Sequence, residues 1–317
     1  MRVAWLFPGQ GSQNVGMGRD LAAGSDAARS VFERVDAALG EKLSTIIFEG
    51  PEDLLTLTAN AQPAILATSY AVLAAIREHV PDLPPPAFAA GHSLGEYSAL
   101  VATGALSLAD AVRLVRTRGQ AMQAAVPLGT GAMSAVMGLE RQSLEEICAD
   151  AAQGEVVAPA NFNAPGQVVI AGHAAAVARA GELVSRRNGR AKALKVSAPF
   201  HCSLMAPAAR VLEAALERVA IHAPAFPVVA NVDAQPNEDP ARIKGLLVRQ
   251  VDGAVRWDES VRLMADRGVT HALEIGPGKV LAGLVKRIAK TMHVLSVGDA
   301  DTVRQVPSFL AEAHPTA

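Results

Sequence analysis

Hydrophobic positions along the chain fall into two periods. Short apolar runs, "VAWLF" at 3–7 and "AFAA" at 87–90, read as buried strands, and apolar residues recur at helical spacing from Asp53 to His79. A second helical stretch runs from Leu108 to Ala125, with Arg113, Arg116 and Arg118 set among Ala, Val and Leu. Strands alternating with longer helices predict an α/β domain built on a largely parallel sheet.

The pattern changes near Pro127. "GAMSAVMGL" (131–139) predicts a strand, "RQSLEEICADAA" (141–152) a helix, "EVVAPANFN" (155–163) and "QVVIAG" (167–172) two strands, "AAAVARAGELVSRRN" (174–188) a helix and "AKALKV" (191–196) a last strand. That β-α-β-β-α-β order is the ferredoxin-like pattern. Residues 128–197 are therefore expected to form a small subdomain inserted into a larger α/β domain of residues 1–127 and 198–317. The chain ends with "VTHALEIGPGKVLAGLVKRI", a strand, a Gly-Pro-Gly turn and a helix, before its last residues.

Composition narrows the functions available. A chain of 317 residues, half of them hydrophobic, can bury a large core, and its net charge of -2 offers no basic field to gather nucleic acid. Cys148 and Cys202 are too few for a disulfide framework and lack metal-ligand spacing, which predicts buried thiols and a cytoplasmic setting. No uninterrupted apolar run approaches the ~18–20 residues of a membrane span, so no membrane role is expected.

The candidate chemistry lies in "GHSLGEYSAL" (91–100). A serine between glycines, Gly-x-Ser-x-Gly, can sit on a sharp strand-to-helix turn that exposes its hydroxyl, and Ser93 has the required strand before it and helix after it. Leu94 opens that helix, and its N–H can face developing negative charge. A serine hydroxyl needs a base. Of the eight histidines, His92 adjoins Ser93 but should point elsewhere, and His79, His173, His222, His271 and His293 stand in no special pattern. His201, in "SAPFHCSL", reads from its apolar neighbours alone as a core histidine.

Five motifs taken together carry a resemblance. "FPGQGSQ" (7–13), "GHSLGEYSAL", "RTRGQAMQ" around Arg118, "APFHCSLM" around His201 and "EIGPGKVL" near the C-terminus, in that order and spacing, resemble the malonyl-CoA:acyl carrier protein transacylases. The resemblance covers nearly the whole chain. It implies an α/β-hydrolase-like large domain with a ferredoxin-like insertion, the active site between them, and a ping-pong transfer of malonyl from malonyl-CoA to acyl carrier protein through Ser93. It implies no metal and no cofactor. His201 would be the base, Gln10 and Leu94 would give backbone N–H groups to the oxyanion, Arg118 would grip the malonyl carboxylate, and the Gln250 carbonyl would orient His201, its side chain mattering little. Asp110, Glu145, Glu146 and Asp150 lie between serine and histidine, and none of the four stands in a signature.

Two departures limit the likeness. Phe200 stands where discrete fatty-acid enzymes often have a small residue before the histidine, and it resembles the aromatic of malonyl-selective polyketide acyltransferases. "DGAVRW" (252–257) stands where the family often has Asn-Pro-Val before the tryptophan. A polyketide acyltransferase working in trans and a serine thioesterase remain as alternatives, and a monomer is expected. "VSRRNGRAKALK" (184–195) collects Arg186, Arg187, Arg190, Lys192 and Lys195, either a solvated face or a dock for an acidic carrier protein.

Overall fold

The structure, a computed structural model, describes residues 2–313. Within them the strands are β1 (Arg2–Phe7), β2 (Phe88–Gly91), β3 (Gly131–Met137), β4 (Val157–Ala164), β5 (Gln167–His173), β6 (Arg190–Ala193), β7 (Val228–Val229), β8 (Pro236–Asn237), β9 (Val269–Ile275) and β10 (His293–Val297). Six form one sheet in the order β10-β9-β1-β2-β7-β8, parallel except between β7 and β8. The other four form an antiparallel sheet, β4-β5-β3-β6.

Val3 to Phe7 and all of β2 are buried, as expected of parallel strands covered on both faces. Alternate residues serve opposite faces. Trp5 and Phe7 join the apolar cluster packed with the Thr58–His79 and Leu108–Ala124 helices, while Ala4 and Leu6 join Trp257 and Leu281 on the other side. The four-stranded sheet has its own cluster, where Val136 and Ile170 meet Ile147 and Val184 from two helices, Arg141–Ala152 and Ala174–Arg186. Ser107 accepts from the Asp110 N–H at 3.0 Å and caps the helix that carries Arg118. Asp239, with Pro240 behind it, caps the helix that carries Gln250.

Of the boundaries that differ from the sequence reading, two change the path of the chain. The stretch from Asp53 to His79 is two helices, Glu52–Thr56 and Thr58–His79, broken at Leu57, whose extended backbone starts the second helix by accepting from Asn60 and Ala61. Apolar spacing gives no sign of the joint because Leu55 of the first helix is buried and nearly the whole of the second helix is buried after it. The predicted strand 191–196 ends at Ala193, after which Lys195 and Val196 turn to the mouth of a cavity.

The Thr58–His79 helix is also long and apolar enough to cross a membrane, yet 83% of its most apolar window is buried inside the protein. It is the central core helix. Residues 252–257 strap the two sheets together: Val255 donates to Ala160 at 2.9 Å and accepts from Phe162 at 2.8 Å, beside β4, while Arg256 N–H reaches Asn231 O.

Candidate active site

The carboxyl ends of β1 and β2 lie side by side, and the turn after β2 is sharp. Ser93 has φ 51°, a left-handed backbone that a serine adopts only under constraint. The constraint is close packing of strand end on helix start. A Cβ on Gly91 would lie 1.9 Å from the Gly95 carbonyl carbon, and one on Gly95 would lie 2.1 Å from Phe7 O. Both glycines of the Gly-x-Ser-x-Gly motif are therefore required by contact with backbone.

Ser93 Oγ is 2.7 Å from His201 Nε2, and His201 Nδ1 is 2.9 Å from the Gln250 carbonyl oxygen. A carbonyl only accepts, so Nδ1 carries the proton and Nε2 of the neutral ring accepts from the serine hydroxyl. Burial, with the Arg118 charge second, pulls His201 down to about 3, far below the ordinary histidine value. The ring is thus neutral and ready to take a proton at neutral pH.

Arg118 is 2% exposed. It shares the buried stripe Ala111, Val115, Met122 of its helix, whereas Arg113 is largely exposed and Arg116 pairs with Glu41. Its Nη1 donates to Gln62 Oε1 at 2.7 Å, and its Nη2 donates to Ser93 Oγ and to Gln250 Oε1, each at 3.0 Å. Nε is buried with no hydrogen-bond partner among the described residues. Desolvation by burial lowers the pKa of the guanidinium, a group that stays charged in proteins.

Ser93, His201, Arg118, Gln10 and Phe200 line one cavity of about 370 Å³, with Met133, Asn161, Asn163 and Leu194 contributed from the four-stranded sheet and its edge. Leu94 and Gln250 stand behind its wall, 1% exposed each. Gln10 turns its side chain to Thr58 Oγ1 at 3.1 Å. His92, expected to point away, also lines the cavity, where its Nε2 meets Asn163 Oδ1 at 2.8 Å.

The acids Asp110, Glu145, Glu146 and Asp150 are occupied elsewhere. Asp110 faces Ser107 and Arg113, Glu145 faces Arg141, and Glu146 and Asp150 face Arg187. The Gln250 side chain, which the sequence left without importance, is instead a hub: besides accepting from Arg118, it donates through Nε2 to Ser93 O at 2.9 Å and to Glu96 Oε2 at 2.8 Å.

The description "Acyl transferase domain" fits residues 4–313 of the chain. The chain belongs to the acyl transferase domain family. One acyl transferase similar to it, the malonyl CoA-acyl carrier protein transacylase of Escherichia coli O157:H7, is 49% identical over 98% of each chain. The crystal structure of the acyl-carrier-protein S-malonyltransferase from Bartonella henselae superposes with a TM-score of 0.95 at 50% identity, over 98% of this chain and all of that one. A malonyl-transacylase in complex with its type II PKS acyl-carrier protein gives a TM-score of 0.93 at 45% identity, over 96% of this chain and 98% of that one.

Three residues of this acyl transferase escaped the sequence reading. Gln62 holds Arg118 from below. Asn231 accepts from Ser93 N–H through Oδ1 and donates to Gly91 O through Nδ2, both at 2.6 Å. Glu96 accepts from Asn231 N–H at 3.0 Å. Glu96 had a signal, a carboxylate in a helix otherwise small and apolar; Asn231, in an irregular loop, had none.

Proposed function

We propose that the protein transfers malonyl from malonyl-CoA to the phosphopantetheine thiol of acyl carrier protein, with Ser93 as nucleophile, and so supplies fatty-acid synthesis. The observation that carries the substrate is Arg118, a buried guanidinium that lines the cavity, 3.0 Å from the Ser93 hydroxyl. A thioesterase for neutral acyl groups has no need of a cation there, whereas a malonyl carboxylate accepts two parallel hydrogen bonds from it. The transacylase names of the similar proteins agree.

In this reading Ser93 Oγ attacks the thioester carbonyl as His201 Nε2 takes its proton. The tetrahedral oxyanion is held by the N–H groups of Leu94 and Gln10. Ser93's own N–H is engaged by Asn231, which leaves the next residue to supply the elbow donor. The carbon–sulfur bond breaks, His201 returns the proton to the CoA thiolate, and a malonyl ester remains on Ser93. The carrier's thiol then attacks that ester by the reverse sequence. Phe200 in the cavity wall favours a compact acyl group. No metal or cofactor takes part.

The reading extends to architecture and setting. Residues 1–127 with 198–317 act as an α/β-hydrolase-like catalytic domain and residues 128–197 as an inserted ferredoxin-like subdomain, a division supported by the strand order β4-β5-β3-β6. The protein works in the cytoplasm as a monomer. Arg190, Lys192 and Lys195 are exposed at the edge of that subdomain, with Lys195 at the cavity mouth, and they suit an acidic carrier; Arg187 is tied to Glu146 and Asp150.

The test is transfer itself. Holo acyl carrier protein mixed with malonyl-CoA and catalytic amounts of the protein should gain one malonyl group by intact mass. Release of free malonate without carrier loading would return the protein to the hydrolases.

A further inference from the structure

Glu96 is joined to most of the site without lining its cavity. It lies one turn past the elbow in the Gly95–Ala102 helix, every residue of which is buried, and is 3% exposed. Its Oε2 accepts both the Asn231 N–H, at 3.0 Å, and a Gln250 Nε2 hydrogen, at 2.8 Å. Each partner then reaches the reacting groups. Asn231 spans the elbow from Gly91 O to Ser93 N–H. Gln250 holds Ser93 O and Arg118 by its side chain and His201 by its main-chain carbonyl.

One carboxylate oxygen is therefore the junction of two arms that close on Ser93 from both sides. Asn and Gln amides have several rotamers open to them, and a charge-assisted acceptor shared by both selects one combination. An apolar side chain at this position would leave two buried donors unpaired. A glutamine could still offer one acceptor oxygen to both.

We propose that Glu96 is a positioning residue, holding Ser93, His201 and Arg118 in a single register through Asn231 and Gln250. The proposal rests on the reading of Ser93 and His201 as nucleophile and base. Charged and titratable groups that face Glu96 are Arg118 from the Leu108–Ala124 helix, Asp233 from the turn after β7, and its neighbour Tyr97. Burial is the main effect on the carboxyl, which sits at about 7 despite the two N–H bonds. Its ionisation consequently falls within the working pH range. The carboxylate formed above that value offsets part of the Arg118 charge that holds His201 down, so activation of Ser93 should rise with pH.

The experiment follows phosphonylation of Ser93 by an alkyl fluorophosphonate, in which an oxygen–phosphorus bond forms and fluoride leaves, read by intact mass from pH 5.5 to 8.5. Thermal melting monitors the fold, and malonyl-CoA is run in parallel. Glu96→Ala should slow labelling by roughly 10- to 100-fold, the scale of a small misplacement of reacting groups. Glu96→Gln should stay within about threefold of wild type while losing the inflection near neutrality, and this holds the test open if the alanine variant fails to fold. A folded Glu96→Ala protein labelled at the wild-type rate, or a Glu96→Gln protein that keeps the inflection, would overturn the proposal. Wild type labelled on Ser93 that takes no malonyl would defeat the malonyl reading instead and leave Glu96's role standing.

Discussion

Replacing Arg118 with alanine separates a malonyl transferase from a general serine acyltransferase. The guanidinium is 2% exposed and contacts Gln62 Oε1, Gln250 Oε1 and Ser93 Oγ. With malonyl bound, removing it leaves a carboxylate unpaired in a buried site, a loss of about 3–5 kcal/mol. At about 1.36 kcal/mol per decade, that is roughly two to nearly four decades in kcat/KM. Acetyl has no carboxylate to strand. It also gains from release of the Ser93 hydroxyl and from a more basic His201, because the Arg118 charge is the second cause of that histidine's depression. Arg118→Ala should thus invert the preference: malonyl transfer collapses while acetyl transfer persists or rises. Arg118→Lys should recover part of the malonyl rate, since a point charge replaces a planar fork. The assay is kcat/KM for malonyl-CoA and acetyl-CoA with the same holo carrier, with melting curves to confirm folding. Equal losses for both donors would refute a carboxylate-binding role.

His201→Ala should slow Ser93 acylation by about 10²–10⁴-fold, the contribution of a positioned general base, and an unchanged rate would make His201 a core residue. In the wild type the neutral, proton-accepting ring persists down to about 3, so protonation of His201 itself should remove acylation only as pH falls through that value, whereas the inflection near 7 belongs to Glu96; an acid limb near 6.5 that Glu96→Gln retains would contradict the buried neutral ring. Gly95→Ala places a Cβ 2.1 Å from Phe7 O, and should lower the urea midpoint by the equivalent of about 1–3 kcal/mol, or more if the elbow cannot yield; a wild-type midpoint would show that it can. Reversing Arg190 and Lys195 to Glu should raise KM for carrier protein but not for malonyl-CoA, with an effect that shrinks in high salt, and equal KM changes would make this edge merely solvated.

Much of this was legible in the residues. The apolar run of β2 and the Gly-x-Ser-x-Gly motif locate the elbow, because close backbone approach leaves a signature in glycines. Arg118 was marked only by the "RTRGQAMQ" motif of the resemblance; the buried stripe it shares with Val115 and Met122, which sets it apart from Arg113 and Arg116, is read from the structure. The role of the Gln250 side chain was not legible: its partners Ser93 and Arg118 are 157 and 132 residues away, and no local period reports such a contact. Asn231 is hidden for the same reason. The depression of His201 depends on total burial and on the neighbouring guanidinium, both tertiary facts. The break at Leu57 went unseen because periodicity records which side is buried, not where the backbone turns.

The most direct measurement is peptide mapping of the protein after brief exposure to malonyl-CoA alone, quenched in acid. One malonyl group should be found on the peptide that holds Ser93, absent from Ser93→Ala, and discharged when holo acyl carrier protein is added before the quench. Malonyl on Cys148 or Cys202, or turnover of malonyl-CoA with no Ser93 ester formed at any time, would contradict the account.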